Sequence, residues 1–270
     1  MTHTSADDAD LSEALRPAQR TLAGRTALVT GGGSGLGAAI ARTLHAAGAS
    51  VVVVGRRPEP LEAVVAELGE RASWRVCDVA DPASVEALAD ALADVEVSIL
   101  INNAGIAGPV APLIEIDVEA WDEVFDVNVR GVFLMCRAFL PAMIGRGAGD
   151  VINLASVTGK RPLTRRTPYA ASKLAVIGLT STLAFEVGAS GVQVNSLSPG
   201  PVQGERMDRN FRLEAERTGT SYEQAQDAYV SRAALGRMVT EDEVGAAVVA
   251  MLGMPGMTGA DVDLSGGMIA

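Results

Sequence analysis

TALVTGGGSGLGAAIARTLHAAG, residues 26–48, decides how this chain folds. Its first five residues are a short, mostly apolar β-like run that ends in the glycines 31–33. From Leu36 the apolar residues recur at helical spacing, and Gly48 supplies a stop signal. A strand that turns through glycines into a helix is the opening of a βαβ unit.

Outward from that stretch the alternation continues. The four valines of SVVVVG (50–55) are β-branched and apolar without a break, the pattern of a strand buried on both faces. LEAVVAELG (61–69) reads as a helix with a glycine stop. Further strands are predicted at WRVCDV (74–79), VSILINNAG (97–105, running into a turn), DVINLAS (150–156), VQVNSLSPG (192–200) and ADVDLSGG (260–267). Helices are predicted at 83–93 behind an Asp81 cap and Pro82, around 118–146, from Pro168 to Gly188, and at 241–252. Residues 201–235 read as a long irregular substrate loop whose polarity suits a lid.

Strict strand–helix alternation with doubly apolar strands implies a parallel sheet covered on both faces. No linker or change of pattern divides it. The expectation is one α/β domain over 23–270, a Rossmann-type doubly wound parallel sheet, preceded by a mobile acidic tail at 1–22. The helix VNVRGVFLMCRAFLPAMI (127–144) is apolar nearly all round. A helix lying on one sheet face should have a polar back, so this one is expected to be buried against another subunit.

Composition narrows the function classes. The chain has 270 residues and a net charge of −11, which argues against a nucleic-acid partner, because phosphate binding needs a basic stripe. Cys77 and Cys136 are far apart, with no CxxC and no Cys/His cluster, so no metal site is expected. Two cysteines fit a reducing compartment, and the N-terminus has no apolar signal region, so a cytoplasmic location is expected. No run of 18–20 apolar residues is evident, and no membrane contact is expected.

The glycine turn has its own chemistry. Gly31, Gly33, Ser34, Gly35, Leu36 and Gly37 sit where bare backbone and a helix N-terminus can meet a pyrophosphate. About 20 residues on, a dinucleotide site that takes ribose hydroxyls carries an acid. Here that place reads Gly55-Arg56-Arg57, with Glu59 only beyond Pro58. Arginine can grip a 2′-phosphate through paired N–H donors, so NADP(H) is favoured over NAD(H).

These residues together resemble the short-chain dehydrogenase/reductase family, in its compact branch of roughly 250 residues, over 24–270. The glycine motif at 30–37 matches. CDV (77–79) matches the site where Asp78 and the Val79 backbone hold adenine. NNAG (102–105) matches the turn that places Asn103, Ala104 and Gly105 beside the cofactor. Asn128, Ser156, Tyr169 and Lys173 match the catalytic tetrad, and SPG (198–200) matches the loop carrying Pro199 and Gly200 beside the nicotinamide. Relatives often have Thr or Ser shortly after that Pro-Gly; here Pro201-Val202 follows, leaving the Val202 backbone for the contact. NADP-preferring relatives often have a cation where this chain has Ser34, so the NADP(H) reading rests on Arg56 and Arg57.

The motif TPYAASK (167–173) raises a question of acid–base chemistry, because the chain has only two histidines, His3 and His45. A free phenol, with a pKa of about 10, is a poor base at neutral pH. Lys173 lies one helical turn after Tyr169 on the same face. A cation about 4 Å away at an effective dielectric near 20 is worth roughly 4 kcal/mol, enough to bring a phenol toward the operating pH. The resemblance implies that Tyr169 gives or takes the substrate proton and that Lys173 also bonds the nicotinamide ribose. It implies that Ser156 fixes the substrate oxygen, that Asn128 holds a relay water, and that the protein is a homotetramer.

The substrate is less legible. The segments flanking the expected pocket carry Lys160, Arg161, Arg165, Arg166, Arg206, Arg209 and Arg212. An anionic substrate clamped by arginine is one reading; a solvated loop or subunit contact is the preferred one. The leading expectation is a carbonyl reductase or alcohol dehydrogenase. A non-catalytic cofactor sensor and an NAD-dependent alcohol dehydrogenase are the alternatives.

Overall fold

The structure, a computed structural model, describes residues 22–268. Its frame is a seven-stranded sheet in the order β3-β2-β1-β4-β5-β6-β7. The strands are β1 (Thr26–Thr30), β2 (Ser50–Gly55), β3 (Ala72–Val76), β4 (Val97–Asn102), β5 (Gly149–Leu154), β6 (Val192–Pro199) and β7 (Asp261–Leu264). Every neighbouring pair is parallel. The order reverses between β1 and β4, and the crevice beyond the strand ends at such a switch point is where ligands bind in open α/β sheets.

Strand alternation feeds two cores. Val52, Val54, Leu100 and Val151 point to one side, where they meet helices α3 (Pro82–Ala91), α5 (Gly131–Arg146) and α6 (Thr167–Val187). Val51, Val53, Ile99 and Ile101 point to the other, against α1 (Gly35–Ala46), α2 (Pro58–Leu68) and α9 (Glu241–Leu252). Burying an aliphatic side chain of this size contributes about 1.5–3 kcal/mol, so truncating one central position such as Leu100, fully buried, costs about 2–5 kcal/mol.

Several local expectations hold and several shift. Asp81 caps α3 by accepting from the Ala83 amide at 3.0 Å. The third strand starts two residues earlier than predicted and ends at Val76, which releases Cys77–Val79 toward the switch point. Residues 1–21 of the predicted tail lie outside the described residues. Leu22, the last residue assigned to that tail, belongs to the fold: it is buried, and its amide donates to the Ala47 carbonyl.

The segment after β6 is not irregular. It folds into α7 (Glu205–Thr218) and α8 (Tyr222–Val230). The two helices close on Phe211, 2% exposed, which meets the rings of Tyr222 and Tyr229 edge-on. Their stripe is narrow: among the described side chains of α7 only Phe211 and Ala215 are buried, between charged neighbours. That polarity hides the helix from a hydrophobic-period reading.

The long helical stretch Val118–Arg146 comprises α4 (Val118–Phe125), a π turn (Asp126–Arg130) and α5. This stretch and Thr167–Ser190 are long and apolar enough, by length and composition, to cross a membrane, contrary to the sequence expectation. Here both lie against the sheet as core helices, contributing Met135, Phe139 and Val176. The chain's own core covers most of the apolar side chains of α5, leaving Phe133 and Ile144 exposed. On α6, Leu174 and Phe185 are exposed, Phe185 by 90%.

Candidate active site

The glycine turn joins β1 to α1. Gly31 takes a φ of +65°, open to glycine at little cost, and a side chain at Gly37 would sit 2.1 Å from the Gly31 carbonyl oxygen. Turn and helix can meet this closely only without a Cβ. Ser34 occupies the N-cap of α1 without a side-chain cap bond, and the first turn holds no acid. Uncapped N–H groups at a helix start suit an anion such as a diphosphate.

A polar knot ties the turn to β4. Asn103 Nδ2 donates to the Thr30 carbonyl at 2.9 Å. Thr30 Oγ1 accepts the amides of Asn103 and Ala104 at 2.9 and 3.0 Å. Thr30, which the sequence reading passed over, is therefore the pin between the two central strands.

One cleft of about 1140 Å³ runs across these strand ends. Gly31, Gly33, Ser34, Gly35, Leu36 and Gly37 line its middle. Arg56 and Arg57 line one end, with Asp78 and Val79. The Asp78 carboxylate is fixed by the Ala80 amide, and the Asp78 amide donates to Ser84 Oγ, both at 3.0 Å. Glu59 is absent from the lining, so the turn after β2 presents guanidinium groups rather than a carboxylate. Asn103, Ala104 and Gly105 continue the wall toward Ser156, Tyr169 and Lys173, and Pro199, Gly200 and Val202 face them. The stretch after Gly200 is anchored by a bridge between Val202 and Val239.

Tyr169 and Lys173 stand one turn apart near the start of α6, with the Lys173 Nζ 5.8 Å from the Tyr169 ring centroid. Both are buried. Lys173 Nζ donates to the Leu154 carbonyl at 2.7 Å, two residues before Ser156. Ser156 Oγ accepts the Thr158 amide at 3.2 Å, an arrangement that leaves the hydroxyl proton for a ligand. Asn128 does not line the cleft. It sits fully buried in the π turn, where its Oδ1 accepts from the Ile106 amide at 2.8 Å and its Nδ2 donates to the Ile106 carbonyl at 2.9 Å. Gly105 lies between it and the lysine: a side chain there would stand 3.0 Å from Asn128 Oδ1 and 3.5 Å from Lys173 Nζ.

The basic residues flagged by the sequence separate. Arg166 lines the cleft and donates to the carbonyls of Ala107 and Gly108 and to Asn210 Oδ1. Lys160 and Arg161 pair with Asp261 and Asp263 of β7. Arg165 donates to the Val110 carbonyl, and Arg209 and Arg212 are not in the cleft lining. The Arg206 side chain lies outside the described residues. Met207, Asn210, Tyr229 and Glu241 also line the cleft, and sequence reasoning missed them. One readable signal was the Ser221–Gln224 capping box, which starts the helix that carries Tyr229. Among the described residues, no group of three or more His, Cys, Asp or Glu side chains could hold a metal.

A family model described as short chain dehydrogenase matches residues 25–215. The chain is 43% identical over 183 residues to a D-threitol dehydrogenase of Mycolicibacterium smegmatis, covering 66% of this chain and 70% of that one. Among solved structures, an actinorhodin polyketide ketoreductase variant with NADPH has a TM-score of 0.86 and 34% identity, over 90% of this chain and 97% of its own. An NAD+-bound xylitol dehydrogenase also has a TM-score of 0.86, with 29% identity, over 92% and 100%.

Proposed function

This chain belongs to the short-chain dehydrogenase family, and on that premise we propose that it moves a hydride between NADP(H) and a ketone or secondary alcohol, with Tyr169 as proton donor and acceptor. Family membership makes it an oxidoreductase that uses a nicotinamide cofactor on alcohols or carbonyls. The observation that carries the finer reading is that Ser156, Tyr169 and Lys173 line the same cleft as the glycine turn.

When bound, the nicotinamide supplies or accepts the hydride. In reduction Tyr169 gives its phenolic proton to the carbonyl oxygen; in oxidation it removes the hydroxyl proton. Ser156 donates its hydroxyl proton to that same oxygen and stabilises the charge that develops there. Lys173, held by the Leu154 carbonyl, sets its Nζ beside the Tyr169 ring and would bond the nicotinamide ribose. By the family resemblance Asn128 serves a proton relay behind Lys173, and its bonds to the Ile106 amide and carbonyl make it a positioning residue. The first turn of α1 holds the diphosphate, and Asp78 and Val79 hold adenine.

The NADP(H) preference rests on Arg56 and Arg57 in the cleft and on the missing carboxylate after β2. NAD(H) use is the second reading, favoured by the uncharged Ser34 and by the NAD+-bound relative. The exposed Leu174 and Phe185 favour a homo-oligomer, a tetramer by family resemblance.

A panel of neutral and carboxylated ketones and of secondary alcohols and polyols, followed by nicotinamide absorbance with each cofactor, tests the proposal. Turnover of at least one member with NADPH or NADP+ ahead of NADH or NAD+ is expected. Tight cofactor binding with no turnover across the panel would instead identify a sensor.

A further inference from the structure

Glu241 is the first residue of α9, and it lines the cleft although no role above uses it. Its Oε1 lies 3.6 Å from where a side chain would begin at Gly35, the first residue of α1. The same oxygen lies 3.3 Å from that position at Gly204, the N-cap of α7. An acid thus stands between the turn that suits a diphosphate and the foot of the helix over the cleft.

This acid is not the one that caps its own helix. Glu243 does that, accepting the Thr240 amide and pairing with Arg237. The charged groups around Glu241 do not cancel it. Arg42 of α1 approaches it but is held on both carboxylate oxygens of Glu67 of α2, at 2.7 and 2.8 Å. Asp242 is its neighbour on α9, and Glu205 lines the cleft from the start of α7. Burial raises the Glu241 carboxyl above its ordinary range; Arg42 opposes this and Asp242 adds to it.

We propose that Glu241 is a proton-linked wall of the diphosphate site, so that the protein takes up a proton at Glu241 when it binds its dinucleotide. As a carboxylate, Glu241 repels the diphosphate. As a carboxylic acid, its O–H becomes a donor toward a phosphate oxygen. Below the free-protein pKa of Glu241 the acid is already protonated and affinity is flat. Above it, each binding event draws a proton from solvent and the Kd rises with pH, until the pKa of the bound form is passed. The inference rests on the reading of this cleft as a nicotinamide dinucleotide site.

The test is the Kd of NADH and of NADPH for the wild type and for Glu241→Gln, measured by nicotinamide fluorescence from about pH 5 to about pH 8. The ratio between the two proteins cancels titration of the cofactor's own phosphate. The wild-type Kd divided by the variant Kd should climb with pH, reaching about tenfold or more, which corresponds to a shift of one pKa unit on binding. A ratio that stays constant across the range, even at a value other than one, assigns Glu241 a merely structural role and overturns the proposal. Glu241→Ala, checked for folding by thermal melting, should give the same climbing ratio and serves if the Gln variant is unstable. If neither protein binds either dinucleotide, the cofactor reading fails and takes this inference with it.

Discussion

Asn128 Nδ2 donates a 3.0 Å hydrogen bond to Ser172 Oγ, and that hydroxyl donates in turn to the Tyr169 carbonyl at 2.8 Å. Both residues are fully buried. The π turn between α4 and α5 is therefore tied to the helix that carries Tyr169 and Lys173. A π turn widens a helix by one residue per turn, a device often found at functional sites.

Asn128→Ala leaves Ser172 and the Ile106 amide and carbonyl without their partner. Each buried polar group left unsatisfied costs about 1–3 kcal/mol, and each kcal/mol lowers Tm by about 2–4 °C in a domain near this size. Thermal melting should show that drop, and kcat should fall by more than KM changes. Wild-type melting and wild-type kcat together would show that the tie does no positioning.

Tyr169→Phe removes the proton but keeps the ring. Turnover should fall by about 10²–10⁴ or more, while cofactor affinity by fluorescence titration stays within about twofold. Substantial remaining turnover would refute the role assigned to the phenol.

Arg56→Ala deletes a guanidinium from the turn after β2, which adds no carboxylate to the cleft lining. A charge-assisted hydrogen bond contributes about 1.5–3 kcal/mol, so NADPH affinity should weaken by about tenfold or more and NADH affinity should hardly move. Equal losses for both cofactors, or none, would remove the case for NADP(H).

The Glu243 carboxyl is pulled from its ordinary 4.5 to about 2, first by hydrogen bonds from Arg237 and then by the Thr240 amide. A carboxyl depressed by folding stabilises the folded state above its unfolded pKa and loses that contribution as pH falls through the folded value. The Tm gap between the wild type and Glu243→Gln should be constant at neutral pH and close between about pH 4.5 and about pH 2. A gap independent of pH would mean that the capping geometry, not the charge, is what matters. The Glu243 side chain is 37% exposed, so salt should also narrow the gap.

Phe185 on α6 is 90% exposed and Leu174 on the same helix 53%. If another subunit covers them, Phe185→Glu should shift the protein to a smaller species in light scattering. A wild-type protein that is monomeric at micromolar concentration would contradict the expected oligomer.

What the sequence determined by itself is local. β1, the glycine turn and α1 were legible because strand pattern, turn chemistry and helical period all operate over a few residues. Tyr169 and Lys173 were legible as a pair because an interval of four on a helix sets them on one face. The parallel, doubly covered sheet followed from the alternation of doubly apolar strands with helices, whereas the order of its strands came only with the structure. The α7–α8 pair escaped because its buried stripe, centred on Phe211, is too thin to register among charges. Only the tertiary structure decided which of the basic residues reaches the cleft, giving Arg166 to it while Lys160 and Arg161 pair with β7. It also set Thr30 against Asn103, and brought Glu241 from the far end of the chain beside Gly35. Those relations depend on strand register and helix docking, which pack distant segments at ångström spacing and leave no periodic trace in either partner.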